Sequence, residues 1–187
     1  MTGIDDRPRC PWATSTADYV AYHDQEWGRP VHGDQPLFER ITLEAFQSGL
    51  SWLTILRRRE GFRRAFAQFQ PHVVAAYDEG DVRRLLEDTG IIRNRAKVEA
   101  TIANARAVLE LDGSLDALLW SFAPDPARPA PRTLGDVPAT TPESVAMAKA
   151  LRQRGFRFVG PTTAYALMQA TGMVNDHLES CFVRPLV

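Results

Sequence analysis

Apolar residues recur at helical spacing along almost the whole chain, and capping residues, prolines and glycines break that pattern at regular intervals. Asp34 opens one helix as its cap, with Pro36 in the first turn. Leu37, Phe38, Ile41, Ala45 and Phe46 then fall on one face before Gly49 stops it. Ser51 caps a second helix carrying Trp52, Ile55 and Leu56, and Pro71 opens a short one. Asp81 caps a helix with Val82, Leu85 and Leu86 that ends at Gly90. Asn94 starts the longest stretch, with Val98, Ile102, Ala105 and Leu109. Leu115 to Phe122 is a short apolar helix. Thr140 or Thr141 caps the next, where Thr140-x-x-Glu143 fits a capping box and Pro142 a first turn. That helix runs to about Arg154, and a tight turn between Gly155 and Gly160 leads into a last helix from about Thr162 to Ala170. No alternating strand pattern competes with these segments, so the expected fold class is all-α.

A chain of 187 residues, 44% of them apolar, is long enough to bury on the order of 70% of its unfolded surface in one domain or two fused lobes. Five prolines between residues 123 and 138 mark a loop or a seam between such lobes. No apolar run approaches the ~20 residues of a membrane span. The polar start, Met1 to Arg9, carries no signal-peptide pattern. The expectation is a cytoplasmic, monomeric protein.

Net charge is −1, and 20 of the 22 basic residues are arginine; the lysines are Lys97 and Lys149. The arginines cluster at 57–64, around Arg93 and Arg95, and at Arg152, Arg154 and Arg157, so any nucleic-acid contact must come from a local patch.

The chain holds two cysteines, Cys10 and Cys181, and each has a histidine at a usable distance in sequence: His23 after Cys10, His177 before Cys181. Cys₂His₂ is the ligand composition of a closed structural zinc site. A metal joining residues so far apart closes a very long loop, where a crosslink constrains the unfolded chain most.

Trp12, Tyr19, Tyr22 and Trp27 crowd the segment around His23, and Glu44 stands in an otherwise apolar run between Leu43 and Ala45. A carboxylate there is expensive to bury without a partner or a task. Flat aromatic walls with one acidic acceptor suit a planar, cationic heteroaromatic ligand, such as a flipped-out damaged base. Gly160 and the start of the following helix offer unpaired amides that can hold a phosphate, with Arg157 and Thr162 nearby; this is how a helix-hairpin-helix grips DNA without reading its sequence.

The segments Tyr19-Val20-Ala21-Tyr22-His23-Asp24-Gln25-Glu26-Trp27-Gly28, Leu43-Glu44, Gly49-Leu50-Ser51-Trp52, Gly90-Ile91-Ile92-Arg93, Gly155-Phe156-Arg157-Phe158-Val159-Gly160 and Val174-Asn175-Asp176-His177 together resemble the DNA-3-methyladenine glycosylase I family. The resemblance covers about residues 9 to 185. It implies a helix-hairpin-helix DNA glycosylase fold, with one zinc ion joining the termini through Cys10, His23, His177 and Cys181. Residues 1–8 fall outside it and read as a disordered extension before a single domain of residues 9–187. It further implies that Glu44 hydrogen-bonds the adenine edge, Trp52 stacks on the base, and Tyr19 and Tyr22 line the pocket. The expected activity is hydrolytic excision of 3-methyladenine from alkylated duplex DNA, as the first step of base excision repair. Many members of the wider superfamily place an Asp in a Val-Asp-Thr-His register, where this chain has Asn175, with Asp176 displaced by one. Bifunctional members carry a hairpin lysine, which is missing from Gly160-Pro161-Thr162-Thr163. Whether Glu44 or Asp176 also orients the attacking water, the sequence does not decide. The rival readings are a zinc-stapled DNA-binding module without chemistry, and a glycosylase for another alkylated purine such as 3-methylguanine or 7-methylguanine.

Overall fold

A computed structural model describes residues 5–124 and 129–187. Among these residues it is helical without a strand, as the periodicity predicts. Nine α-helices follow one another: α1 (Ala17–Gln25), α2 (Asp34–Gln47), α3 (Trp52–Ala65), α4 (Pro71–Ala75), α5 (Glu79–Glu87), α6 (Arg95–Leu109), α7 (Leu115–Trp120), α8 (Pro142–Gln153) and α9 (Pro161–Ala170). Ser51 and Asn94 cap α3 and α6 through their side chains, as expected.

Three caps shift. Gly33, not Asp34, caps α2, and Asp34 instead accepts the Asp116 amide at the start of α7. Asp78 caps α5, with Asp81 as the reciprocal member of its capping box. Thr141 caps α8 with Ser144 as its partner, leaving Glu143 outside the box. At α5 and α8 a neighbouring residue offers the same chemistry one to three positions away, whereas Gly33 caps α2 without a side chain. Helix α1, capped by Thr16, has no counterpart in the core periodicity.

Helix α2 lies at the centre. Every residue from Leu37 to Phe46, apart from Glu39 and Arg40, is buried, and α3, α6, α7 and α9 pack around it. Phe46 meets Phe62 with ring centroids 4.7 Å apart, and the aromatic run continues through Phe66 to Phe69. Ala67, Gln68 and Phe69 all take left-handed φ values, which returns the Phe69 ring to the core after α3. A separate small cluster of Cys10, Leu178, Cys181 and Val183 brings the two ends of the chain together.

Of the expected extension over residues 1–8, residues 1–4 lie outside the described residues. Residues 5–8 run against the C-terminal segment: Phe182 N–H donates to the Pro8 carbonyl, and the Arg7 guanidinium lies 3.9 Å from the centre of the Phe182 ring. Within the proline-rich connection, residues 125–128 are likewise outside the described residues, and Leu134–Asp136 forms a 3₁₀ turn.

Gly61 is placed where no side chain fits, since a Cβ there would lie 2.3 Å from the Gly90 carbonyl oxygen. The clash is with backbone, so Gly61→Ala should cost about 1–3 kcal/mol. Thermal melts should then read a fall of roughly 2–4 °C for each of them.

Candidate active site and metal centre

Ion pairs and one hydroxyl dock α1 onto α2 and α3. Glu26 accepts from Arg40 of α2 at 3.0 Å and from both Arg59 amino groups of α3 at 2.6 and 2.8 Å. Asp18 pairs with Arg57, and the Tyr19 hydroxyl accepts the Leu53 N–H at the start of α3. At the other end of α2, the buried Lys97 ammonium donates to the Phe46 and Ser48 carbonyls at 2.9 and 2.7 Å. Much of the positive charge clustered in sequence is therefore spent on holding helices together: Arg57, Arg59, Arg63 and Arg95 are ion-paired. Among the described residues Arg152, Arg154 and Arg157 have no acidic partner.

This docking shapes a cavity of about 340 Å³. Tyr19, Tyr22, Trp52 and Glu44, predicted for the base pocket, all line it, together with Trp12 and Trp27. Trp52 and Tyr22 stand 5.4 Å apart between ring centroids. The rest of the wall comes from Gln47 of α2, Leu134 and Val137 of the proline-rich connection, and Ala166 and Gln169 of α9, with Asp176, which the sequence singles out beside Glu44 as a carboxylate for orienting water. Gln47 lies one helical turn from Glu44, but Leu134, Val137, Ala166 and Gln169 carry no periodic or spacing signal that would assign them to a site so far away in sequence.

Glu44 is 5% exposed and makes no hydrogen bond with another described residue. Burial pushes its carboxyl up to about 8, and nearby Arg40 offsets only part of that. Burial, and then the neighbouring Glu44, also push the Tyr22 phenol up, so it stays protonated. The indole Nε1 of Trp52 is buried without a partner as well. Polar groups buried without a partner cost about 1–3 kcal/mol each, and a ligand that reaches Glu44 in the cavity could offset that cost. Asp176, the other carboxylate, is engaged: its Oδ2 accepts from the Tyr165 hydroxyl and, at 3.0 Å, from Gln169 Nε2. Asn175, in the register where the superfamily has Asp, ties down the C-terminus instead, donating to the Arg184 and Val187 carbonyls.

The four predicted metal ligands converge. Their donor atoms all lie within 4.8 Å of one another, and all four residues are buried. His177 Nδ1 is 3.2 Å from His23 Nε2 and 3.5 and 3.8 Å from the sulfurs of Cys181 and Cys10; His23 Nε2 is 3.4 Å from Cys181 Sγ. The outer nitrogen of each imidazole is held from behind. His23 Nδ1 is 2.8 Å from Asp24 Oδ1, and His177 Nε2 is 3.1 Å from the Trp27 carbonyl. That arrangement turns both lone pairs inward, as outer partners do in metal sites.

Burial lowers both histidines, His177 to about 4, so both are neutral at pH 7. Burial also raises the Cys10 thiol to about 12, so a thiolate there needs a compensating cation. Burial opposes the charge on Asp24, but its bonds to Arg9 and His23 prevail and hold that carboxyl below the usual range. Gly28 leaves the room this needs: at φ +79°, its Cβ would come 2.9 Å from His177 Nε2. The cluster could therefore hold a metal ion. It shares a wall with the cavity, because Trp12 packs on His23 and Trp27 on His177 at 5.4 and 4.6 Å between ring centroids.

In the hairpin, Gly160 is the N-cap of α9 and supplies no capping side chain. Thr162 is exposed, and Arg157 is exposed with its main chain gripped by Asn104.

The family profile described as methyladenine glycosylase matches residues 12–184. DNA-3-methyladenine glycosylase 1 of Escherichia coli strain K12 is 47% identical over 181 residues, covering 95% of this chain and 97% of that protein. The DNA-3-methyladenine glycosylase of Haemophilus influenzae is 44% identical, with 92% and 96% covered. Among solved structures, 3-methyladenine DNA glycosylase I of Staphylococcus aureus, described for its recognition of 3-methyladenine, superposes with a TM-score of 0.90 at 33% identity. That match covers 95% of this chain and 96% of the other.

Proposed function

The chain belongs to the methyladenine glycosylase family, and from that premise we propose that it excises 3-methyladenine from alkylated duplex DNA by hydrolysing the N-glycosidic bond. The observation that carries this reading is Glu44: a buried carboxylate, without a hydrogen-bond partner among the described residues, in an aromatic-walled cavity. The N3-methylated adenine in DNA is cationic and leaves as a neutral base, so its bond is already labile. The protein has mainly to extract the base, orient it and favour an oxocarbenium-like state that water attacks. Glu44 accepts from the exocyclic amine, Trp52 stacks on the ring, and Tyr19 and Tyr22 line the pocket. Normal adenine is refused on shape, on its missing charge and on its larger unstacking cost.

The hairpin supplies the grip on DNA through Arg157, Thr162 and the amides that follow Gly160. Zinc is the metal that suits the four ligands. Tetrahedral zinc bonds of about 2.3 Å to sulfur and 2.0–2.1 Å to nitrogen require roughly 3.3 Å between nitrogens and 3.6 Å between nitrogen and sulfur; the two imidazole nitrogens are 3.2 Å apart, three nitrogen–sulfur separations are 3.4 to 3.8 Å, and all four donors lie within 4.8 Å. Its role is structural, one ion per chain, clipping the termini. Among the described residues no helix is long and apolar enough to cross a membrane, and the same reading carries a monomer acting in the cytoplasm.

Chromatography of bases released from methylated duplex DNA tests the activity. 3-Methyladenine should dominate the release. No release at all would leave a DNA-binding module, and a profile led by methylguanines would move the specificity elsewhere. The product strand should stay intact without heat or alkali, because a lyase route needs an amine nucleophile and neither lysine lies in the hairpin. Nicking by the pure protein would overturn that assignment.

A further inference from the structure

Phe158 combines two features that ordinary packing opposes. Its φ is +57°, a left-handed conformation costly for a bulky side chain, and it is 43% exposed. In extended backbone, residues two apart share a face. Phe158 would then follow Phe156, 3% exposed, into the core. The left-handed turn breaks that alternation, sending the Phe158 ring outward and Val159 inward.

The surrounding structure enforces the turn. Asn104 of α6, itself 1% exposed, accepts the Arg157 N–H at 2.7 Å through Oδ1 and donates to the Arg157 carbonyl at 3.1 Å through Nδ2. A buried amide is thus spent on gripping the residue next to Phe158 at both of its main-chain polar atoms. Arg152, Arg154 and Arg157 lie within six residues of Phe158 in sequence, all exposed and none with an acidic partner among the described residues. Three residues on, α9 begins, and its Ala166 and Gln169 reach the cavity wall.

We propose that Phe158 is the apolar foot on which the hairpin seats on duplex DNA, packing against the deoxyribose faces of the strand whose phosphates the neighbouring arginines and α9 amides attract, and that Asn104 is the positioning residue that keeps the ring turned outward. This rests on the glycosylase reading and adds to it a sequence-independent, uncharged contact. The sugars are the apolar part of a nucleic-acid backbone, so the contact adds affinity without adding salt dependence.

The test separates these roles. Phe158→Gly suits the left-handed conformation, so its melting temperature should equal or exceed that of the wild type. Its affinity for a duplex carrying an abasic-site analogue, read by fluorescence anisotropy, should fall about ten- to hundredfold, the effect of exposing a phenyl group. The slope of log affinity against log salt should not change, whereas Arg157→Gln should make that slope shallower by about one. Phe158→Tyr should restore binding, and Asn104→Leu should weaken duplex affinity in the same direction. A Phe158→Gly protein that binds duplex like the wild type overturns the inference. A lower melting temperature with unchanged salt-corrected affinity assigns the ring to packing and overturns it as well. Failure of base release from methylated DNA by a wild type that binds duplex would count against the glycosylase reading and leave this contact standing.

Discussion

Glu44→Gln should lower kcat/KM for 3-methyladenine excision by about a hundredfold while the protein becomes more stable at pH 8. A hydrogen bond to a charged group contributes about 1.5–3 kcal/mol, and glutamine keeps an acceptor but loses the charge that faces a cationic base. The stability effect has a sign that follows from burial. The folded carboxyl sits at about 8 against an ordinary value of 4.5. Between those values the folded chain holds a proton that the unfolded chain has released. Stability conferred by that proton is fully present below about 4.5 and is lost as pH rises to about 8. The loss is on the order of a few kcal/mol. Glutamine cannot ionise, so the melting temperature of the variant should vary less across this window and exceed that of the wild type at its upper end.

The same group sets the pH dependence of the reaction. In the free enzyme Glu44 must lose its proton to meet the cation, so wild-type kcat/KM should climb with pH through a midpoint near 8 and level off only above it. The Glu44→Gln profile should lack that limb. Superimposable profiles, or a variant that melts lower at pH 8, would mean that Glu44 is part of the scaffold and not the acceptor for the base.

How much of this site the sequence discloses depends on how local each cause is. Ser51 and Asn94 announce their helices because a cap and the amide it serves lie three residues apart. Glu44 stands out because a carboxylate among Leu43, Ala45 and Phe46 violates the apolar pattern. The metal ligands are legible because the chain has two cysteines and four histidines to choose from. Helix α1 is not legible as a helix, since its aromatics face a cavity and the Cys/His cluster and give no core stripe. Gln169 and Asp176 join the pocket only through tertiary packing. The left-handed turns at Ala67–Phe69 and at Phe158 contain neither glycine nor asparagine, so no local propensity marks them; the buried Phe69 ring and the Asn104 grip impose them from outside.

Removing the metal, by chelation or by His177→Ala, should lower the melting temperature by roughly 10–20 °C and abolish base binding at the same time. Cys10 and Cys181 would close a loop of about 170 residues, and the chain-entropy relation sets such a closure at about 5 kcal/mol. For a domain of this size each kcal/mol corresponds to about 2–4 °C. Activity should follow because the clip and the pocket share one wall. His23 lies on α1 beside Tyr19 and Tyr22, and Trp12 and Trp27 touch both the imidazoles and the cavity. With the metal gone, two neutral imidazoles and two thiols are left without the cation that orders them, and the aromatic wall loses its support. The main core around α2 involves none of these groups, so far-ultraviolet circular dichroism should keep most of its helical signal at low temperature. Elemental analysis should find close to one zinc per chain in the wild type and little in His177→Ala or Cys10→Ala. A metal-free protein that melts and binds 3-methyladenine like the zinc-loaded form would show that side-chain packing alone holds the termini, and the four ligands would then have to be explained as a hydrogen-bonded cluster.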